Sequence, residues 1–134
     1  MKRMTRREAW SYYEGVLANS EVAEQGHLAC IDTSSGEIVV GQVGTGLRPI
    51  GYFDESKTGN GTLTVRVQLF REIWVDRFAN GTSTDAVAAS DIGNLCYVLD
   101  SQTVSIDSDT DSRSVAGRIW GLQNGGVLVE VGSN

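Results

Sequence analysis

The chain has one proline, one histidine and two cysteines in 134 residues. No apolar run approaches the ~20 residues that cross a bilayer, so no membrane partner is expected. The single histidine, His27, leaves a Ser-His-Asp triad only one base. No G-x-S-x-G elbow presents a serine to it. Cys30 and Cys96 stand 66 positions apart, without the short paired spacing of a structural zinc site or the density of a disulfide framework. Each lies in an apolar run and reads as a buried thiol, although a disulfide between them stays open. Basic residues are also scarce beyond the start. Lys2, Arg3, Arg6 and Arg7 are four of the eleven, and the rest of the chain carries seven basic against seventeen acidic side chains. Such an acidic body repels phosphate backbones, so no nucleic-acid partner is expected. The basic tip lacks a following apolar h-region, which speaks against a signal peptide and for synthesis in a reducing cytosol.

What the chain has is β pattern. From Asn94 to Val131 it reads as four short strands cut by polar turns, with Cys96 and Val98 alternating against Leu95, Tyr97 and Leu99, and Val127, Val129 and Val131 on one face. The clearest strand is TLTVRVQL, where Leu63, Val65, Val67 and Leu69 oppose Thr62, Thr64, Arg66 and Gln68. HLACID and EIVVGQVG read as a hairpin around Thr33–Gly36. Pro49 marks an edge or a strand start. Phe70 breaks the alternation, and FREIWVDRF reads as buried on both faces, with Ile73 and Val75 against Trp74 and Phe78. The alanines at 86, 88 and 89 predict one short helical turn ended by Gly93. A faint internal echo links ACIDTSSGEIVV with CYVLDSQTVSI, each followed by a Gly-containing apolar segment. The fold class is therefore all-β: a small antiparallel β-barrel or sandwich with an extended or partly helical N-terminal arm and at most one short helix. The division is an arm over 1–25 and a β-rich domain over 26–134. Trp10, Tyr13 and Leu17 in that arm fall at helical spacing, with Gly15 interrupting, so helix and extended arm are both open. Three large aromatics so close to a terminus need a surface to bury against.

Motifs for chemistry fail on inspection. Asp107, Asp109 and Asp111 open like an EF-hand loop, but Ser112 stands where glycine is required and Arg118 where a bidentate glutamate belongs. A solvated acidic loop is the expectation, with a looser cation site left open and no metal or cofactor assigned. In GQVGTGLRPIG the third glycine of a dinucleotide fingerprint is replaced by Pro49. Asn60-Gly61-Thr62 and Asn80-Gly81-Thr82 match the glycosylation sequon, yet read more simply as Asn-Gly turns. No carboxylate pair is marked for hydrolysis. No catalytic residue is assigned, and an enzyme is not expected.

The runs ACIDTSSGEIVVGQVGTGLRPIGYFDES, VRVQLFREIWVDRFAN, LCYVLDSQTVS, RSVAGRIWGL and GGVLVEV, in this order and spacing, resemble the small capsid decoration, or cement, proteins of tailed bacteriophages. The likeness covers about residues 26 to 131, and its motifs are structural. It implies a compact β-barrel or sandwich on the outer surface of the phage head. It further implies a trimer that bridges neighbouring major capsid subunits, with no catalytic residues. On that reading Trp10, Tyr12, Tyr13 and Leu17 anchor to the shell, with Arg3, Arg6 and Arg7 steering. Phe70, Ile73, Trp74 and Phe78, with Arg71 and Arg77, are the candidates for contact between subunits, or for the monomer's own core. A carbohydrate- or cell-surface-binding module is the alternative, for which exposed Trp120 or Tyr52 on a β face would speak.

Overall fold

The structure, a computed structural model, describes residues 12–70 and 75–132. It is all-β. The strands are β1 (Tyr12–Val16), β2 (Val22–Ala23), β3 (Leu28–Asp32), β4 (Ile38–Val40), β5 (Leu47–Phe53), β6 (Lys57–Thr58), β7 (Thr64–Leu69), β8 (Val75–Asn80), β9 (Leu95–Val98), β10 (Thr103–Ser105), β11 (Val115–Gln123) and β12 (Gly126–Val131). β1, β7, β5, β3 and β4 form one five-stranded sheet, in that order, and a single parallel bridge from Leu17 to Ile38 rolls it nearly shut. β8, β12, β11, β9 and β10 form a closed barrel, sealed by the parallel pairing of β10 with β8. The short pair β2–β6 covers the first sheet.

The two bodies are the same fold twice. β1, β7, β5, β3 and β4 correspond in order and direction to β8, β12, β11, β9 and β10. The backbone bonds repeat as well. Gly26 N donates to Phe53 O at 2.8 Å, and Gly93 N to Ile119 O at 2.8 Å. Phe53 N to His27 O matches Ile119 N to Asn94 O, and Phe70 N to Ile50 O matches Gly132 N to Ala116 O. Across the closing bridge, Ala18 N to Ile38 O matches Gly81 N to Val104 O. Two glycines recur for one reason. A Cβ on Gly51 would stand 1.9 Å from Gln68 O, and one on Gly117 would stand 2.1 Å from Glu130 O. The sequence echo was therefore real but offset by one residue. Gly51 pairs with Ala29 and Gly117 with Cys96, so Cys96 is the counterpart of Ala29 rather than of Cys30.

Each body has its own apolar interior, from inward residues at period two. Leu17, Ala29, Ile38, Phe53, Val65 and Val67 fill the first. Phe78, Cys96, Val98, Val104, Ile119, Val127 and Val129 belong to the second. Leu28, Cys30 and Val39 point outward from the first sheet and join the second core, where Leu47 and Phe70 also pack. Both thiols are free and buried, and burial pushes each up to about 12.

Several expectations are revised. Residues 12–25 are not a separate arm: β1 is built into the first sheet, and Leu17 and Ala23 lie in its core. The helical spacing gives way to period two, with Gly15 leaving room for the Tyr13 ring and Ile38. Pro49 keeps its expected place near the start of β5, where β3 is its ladder neighbour among the described residues and β7 pairs only from Gly51 on, beside the bulge in the β3–β5 ladder. The single helical turn becomes two one-turn 3-10 segments, Ser83–Asp85 and Ala89–Asp91. Over Val75–Phe78 burial alternates instead of covering both faces.

Candidate functional site

Of the residues assigned to shell contact, Arg3, Arg6, Arg7 and Trp10 lie outside the described residues. Tyr12 and Tyr13 are 44 % and 40 % exposed on β1, which pairs along one side with β7 and meets β4 only at the Leu17 bridge. Leu17 is corrected: it is fully buried, because residue 17 continues the inward face of Tyr13 and Gly15. Tyr12 takes the outer face. The Arg66 guanidinium lies 5.5 Å from its ring centroid and donates from Nε to Asp54 at 2.8 Å. That hydrogen bond and the Asp54 charge push the Arg66 pKa above its usual value.

Of the residues assigned to subunit contact, Arg71, Ile73 and Trp74 also lie outside the described residues. Phe78 is corrected to the second core, at 5 % exposure. It occupies the place that glycine holds at 15 in the first body. Phe70 is half-buried between the two bodies, edge-on to Tyr52 with centroids 5.7 Å apart. Arg77 stays at the surface but reaches across Gly126 to donate to the carbonyls of Gln123 and Asn124.

Sequence reading missed the junction between the bodies. Leu28 N donates to Ser101 O at 3.0 Å, and the Ser101 hydroxyl lies 2.8 Å from His27 Nδ1. Glu24 stands 3.3 Å from His27 Nε2. The Ser114 hydroxyl bridges Leu47 N and Gly44 O across the same seam. Gly41 permits the fit, since a Cβ there would meet the Ser101 backbone at 3.2 Å and Leu28 at 2.9 Å. No periodicity within one strand marks these partners, which come from turns about seventy residues apart.

The corresponding flank of the second body is covered differently. Tyr97, Ser105 and Arg113 replace Cys30, Val39 and Leu47. Arg113 donates to Asp85 at 2.9 Å and to Asp107 O at 2.8 Å, and buried Ser105 joins them. The Arg113 hydrogen bond holds the Asp85 carboxyl below its usual range.

Three clefts, of about 520, 580 and 540 Å³, have one carboxylate each among their described lining residues: Asp76, Asp111 and Glu24. None brings a carboxylate pair together for hydrolysis. Asp107 Oδ1 accepts from Asp109 N and Asp109 Oδ2 from the Ser112 hydroxyl. Among the described residues no three His, Cys, Asp or Glu side chains converge to hold a metal. Asn60 forms the expected turn, accepting from Thr62 N and Leu63 N with Gly61 at φ 89°. Asn80 does not: its amide clips both backbone groups of Val87.

The remaining conspicuous side chain is Trp120, 59 % exposed on the outer face of β11. It follows buried Ile119 at period two, and the register with β12 shifts just beyond it, between Ile119 and Gly121. Among the described residues no helix is long and apolar enough to cross a membrane. Comparison with family models, curated proteins and solved structures returns no match for this chain.

Proposed function

We propose that this chain is a structural virion protein that decorates the outer surface of a tailed-phage head and braces adjacent major capsid subunits, as a homotrimer. The observation that carries the reading is the exposed start of β1. It offers two exposed tyrosines, Tyr12 on its outer face and Tyr13 on the other, on a strand whose second backbone edge is, among the described residues, paired only at the Leu17 bridge. An open edge of this kind can pair with a segment of another protein, and tyrosines are favoured interface anchors. The resemblance to decoration proteins supplies the partner. A clamp that binds only the assembled shell stabilises it by mass action, and a trimer engages several subunits together.

The test mixes the purified protein with undecorated phage heads, then measures co-sedimentation and the temperature at which heads disrupt. The wild type co-sediments and raises that temperature. The double variant Tyr12→Ala/Tyr13→Ala weakens binding about tenfold or more, as expected for the loss of two anchors. Removing residues 1–11 asks separately what the basic tip adds, and leaves β1 and Leu17 in place. Failure of the wild type to bind heads sinks the reading.

A further inference from the structure

The geometry points to a carbohydrate-binding platform on the outer face of the second body, centred on Trp120, that takes a pyranose ring of a glycan. The inference goes beyond the decoration role and does not depend on it.

The duplication supplies the comparison. On the first body the outer face of β5, β7 and β1 is occupied by its own side chains: Asp54 holds Arg66, Arg66 covers Tyr12, and Thr64 donates to Glu14 at 3.1 Å. Position 120 corresponds to Asp54 there. The second body departs at that point. Ile119 enters the core and Trp120 faces outward, as Phe53 and Asp54 do, but an extra residue in β11 shifts the register between Ile119 and Gly121 and sets Gly121 opposite Leu128. Bulges of this kind commonly sit beside functional surfaces. The next residue, Gly121, is opposite Leu128, and apart from its chain neighbours no described atom lies within 4 Å of where a Cβ would stand. An exposed indole therefore lies beside a bare step of sheet.

The row next to it holds the Arg118–Glu130 pair of positions. Arg118 uses one Nη to reach Gly93 O at 3.0 Å, which leaves other donors of its guanidinium fork. Glu130 has no ion-pair partner among the described residues. A flat apolar ring flanked by one cationic donor and one anionic acceptor suits a sugar, which presents a C–H face for stacking and hydroxyls for both kinds of hydrogen bond.

Size separates this from a protein-docking site. A stable protein interface takes roughly 800 Å² per partner. A tryptophan contributes at most about 250 Å², and among the described residues its apolar neighbours on this face are the half-buried Leu128 and the partly exposed Val75. The acidic body opposes nucleic acid, the other ligand that stacks on aromatics.

The full-length protein is applied to a printed glycan array, and the strongest hit is titrated by tryptophan fluorescence and by ligand-observed NMR. Specific binding is expected, falling about tenfold or more in Trp120→Ala and largely retained in Trp120→Phe. Tyr12→Ala, on the corresponding face of the first body, leaves glycan binding unchanged. Near-UV circular dichroism checks that Trp120→Ala stays folded. Absence of any specific hit, or a hit indifferent to Trp120→Ala, overturns the proposal. So does a Trp120→Ala protein whose only defect is in self-association or head binding, which would make the face a protein contact. The head assay above reads the decoration role separately, because it probes Tyr12 and Tyr13.

Discussion

The first and second bodies share strand order and bulged β3–β5 and β9–β11 ladders, yet their equivalent flanks have opposite character. Cys30, Val39 and Leu47 on the first are apolar and covered by the second body. Tyr97, Ser105 and Arg113 on the second are polar, and the loop carrying Asp85 folds over them. Gly41, whose small size admits the Ser101 turn, has Asp107 as its counterpart. In repeat architectures a terminal unit carries a polar outer face because nothing further stacks on it. The second flank is closed in the same way, by its own polar loop. A fold can thus be copied while each copy's surface is assigned a different neighbour.

The largest effect should come from breaking what the copies share. Gly51→Ala and Gly117→Ala each force a methyl into a backbone carbonyl, with no flexible side chain to yield. Each is expected to lower unfolding free energy by about 3 kcal/mol, the upper end for overpacking. Urea denaturation followed by fluorescence measures both. Two similar losses support structural equivalence, whereas one silent variant would show that the second barrel and the first sheet tolerate crowding differently.

A second comparison sharpens the difference between flanks. Leu28 is buried at the seam, while its counterpart Leu95 is half-buried on the polar flank. Leu28→Ala is expected to cost about 2–4 kcal/mol as a buried truncation. Leu95→Ala should cost about 1 kcal/mol or less, since less of it leaves water. Equal midpoints in urea would refute the claim that the apolar flank is used and the polar one closed.

Much of the single-strand pattern was readable from sequence. TLTVRVQL gave β7 with Val65 and Val67 inward, and the four C-terminal strands follow from their alternation. Pairing between distant strands was not readable. β1 reads as a possible helix because Trp10, Tyr13 and Leu17 satisfy a 3.6 period; only β7, some fifty residues on, decides that Leu17 faces a core. The two cysteines illustrate the same limit. Aligned by eye they are equivalent, but a slip of one residue flips a strand's faces. Cys96 therefore faces its own barrel, and Cys30 faces the neighbouring one. Trp120 could be named as exposed, but the bulge beside it, which sets Gly121 opposite Leu128, depends on register with β12.

The smallest expected effect is a pH dependence confined to the second flank. The Arg113 hydrogen bond, then that from Ser105, holds the folded Asp85 carboxyl below its usual range. A carboxylate depressed on folding stabilises the native state above its unfolded pKa, near 4, and that contribution is lost as pH falls through the folded value. The counterpart of Arg113 in the first body is Leu47, so the seam has no equivalent titration at that place. Thermal midpoints from pH 7 down to about pH 2 should fall on the acid side in the wild type. In Asp85→Asn they should start lower and fall less steeply, because the variant has no proton to take up at that position. The Asp32 carboxyl, held low by its Ser34 hydrogen bonds, keeps part of the acid slope in both proteins. Identical slopes would place the titrating group elsewhere and remove the polar cap as a source of acid sensitivity.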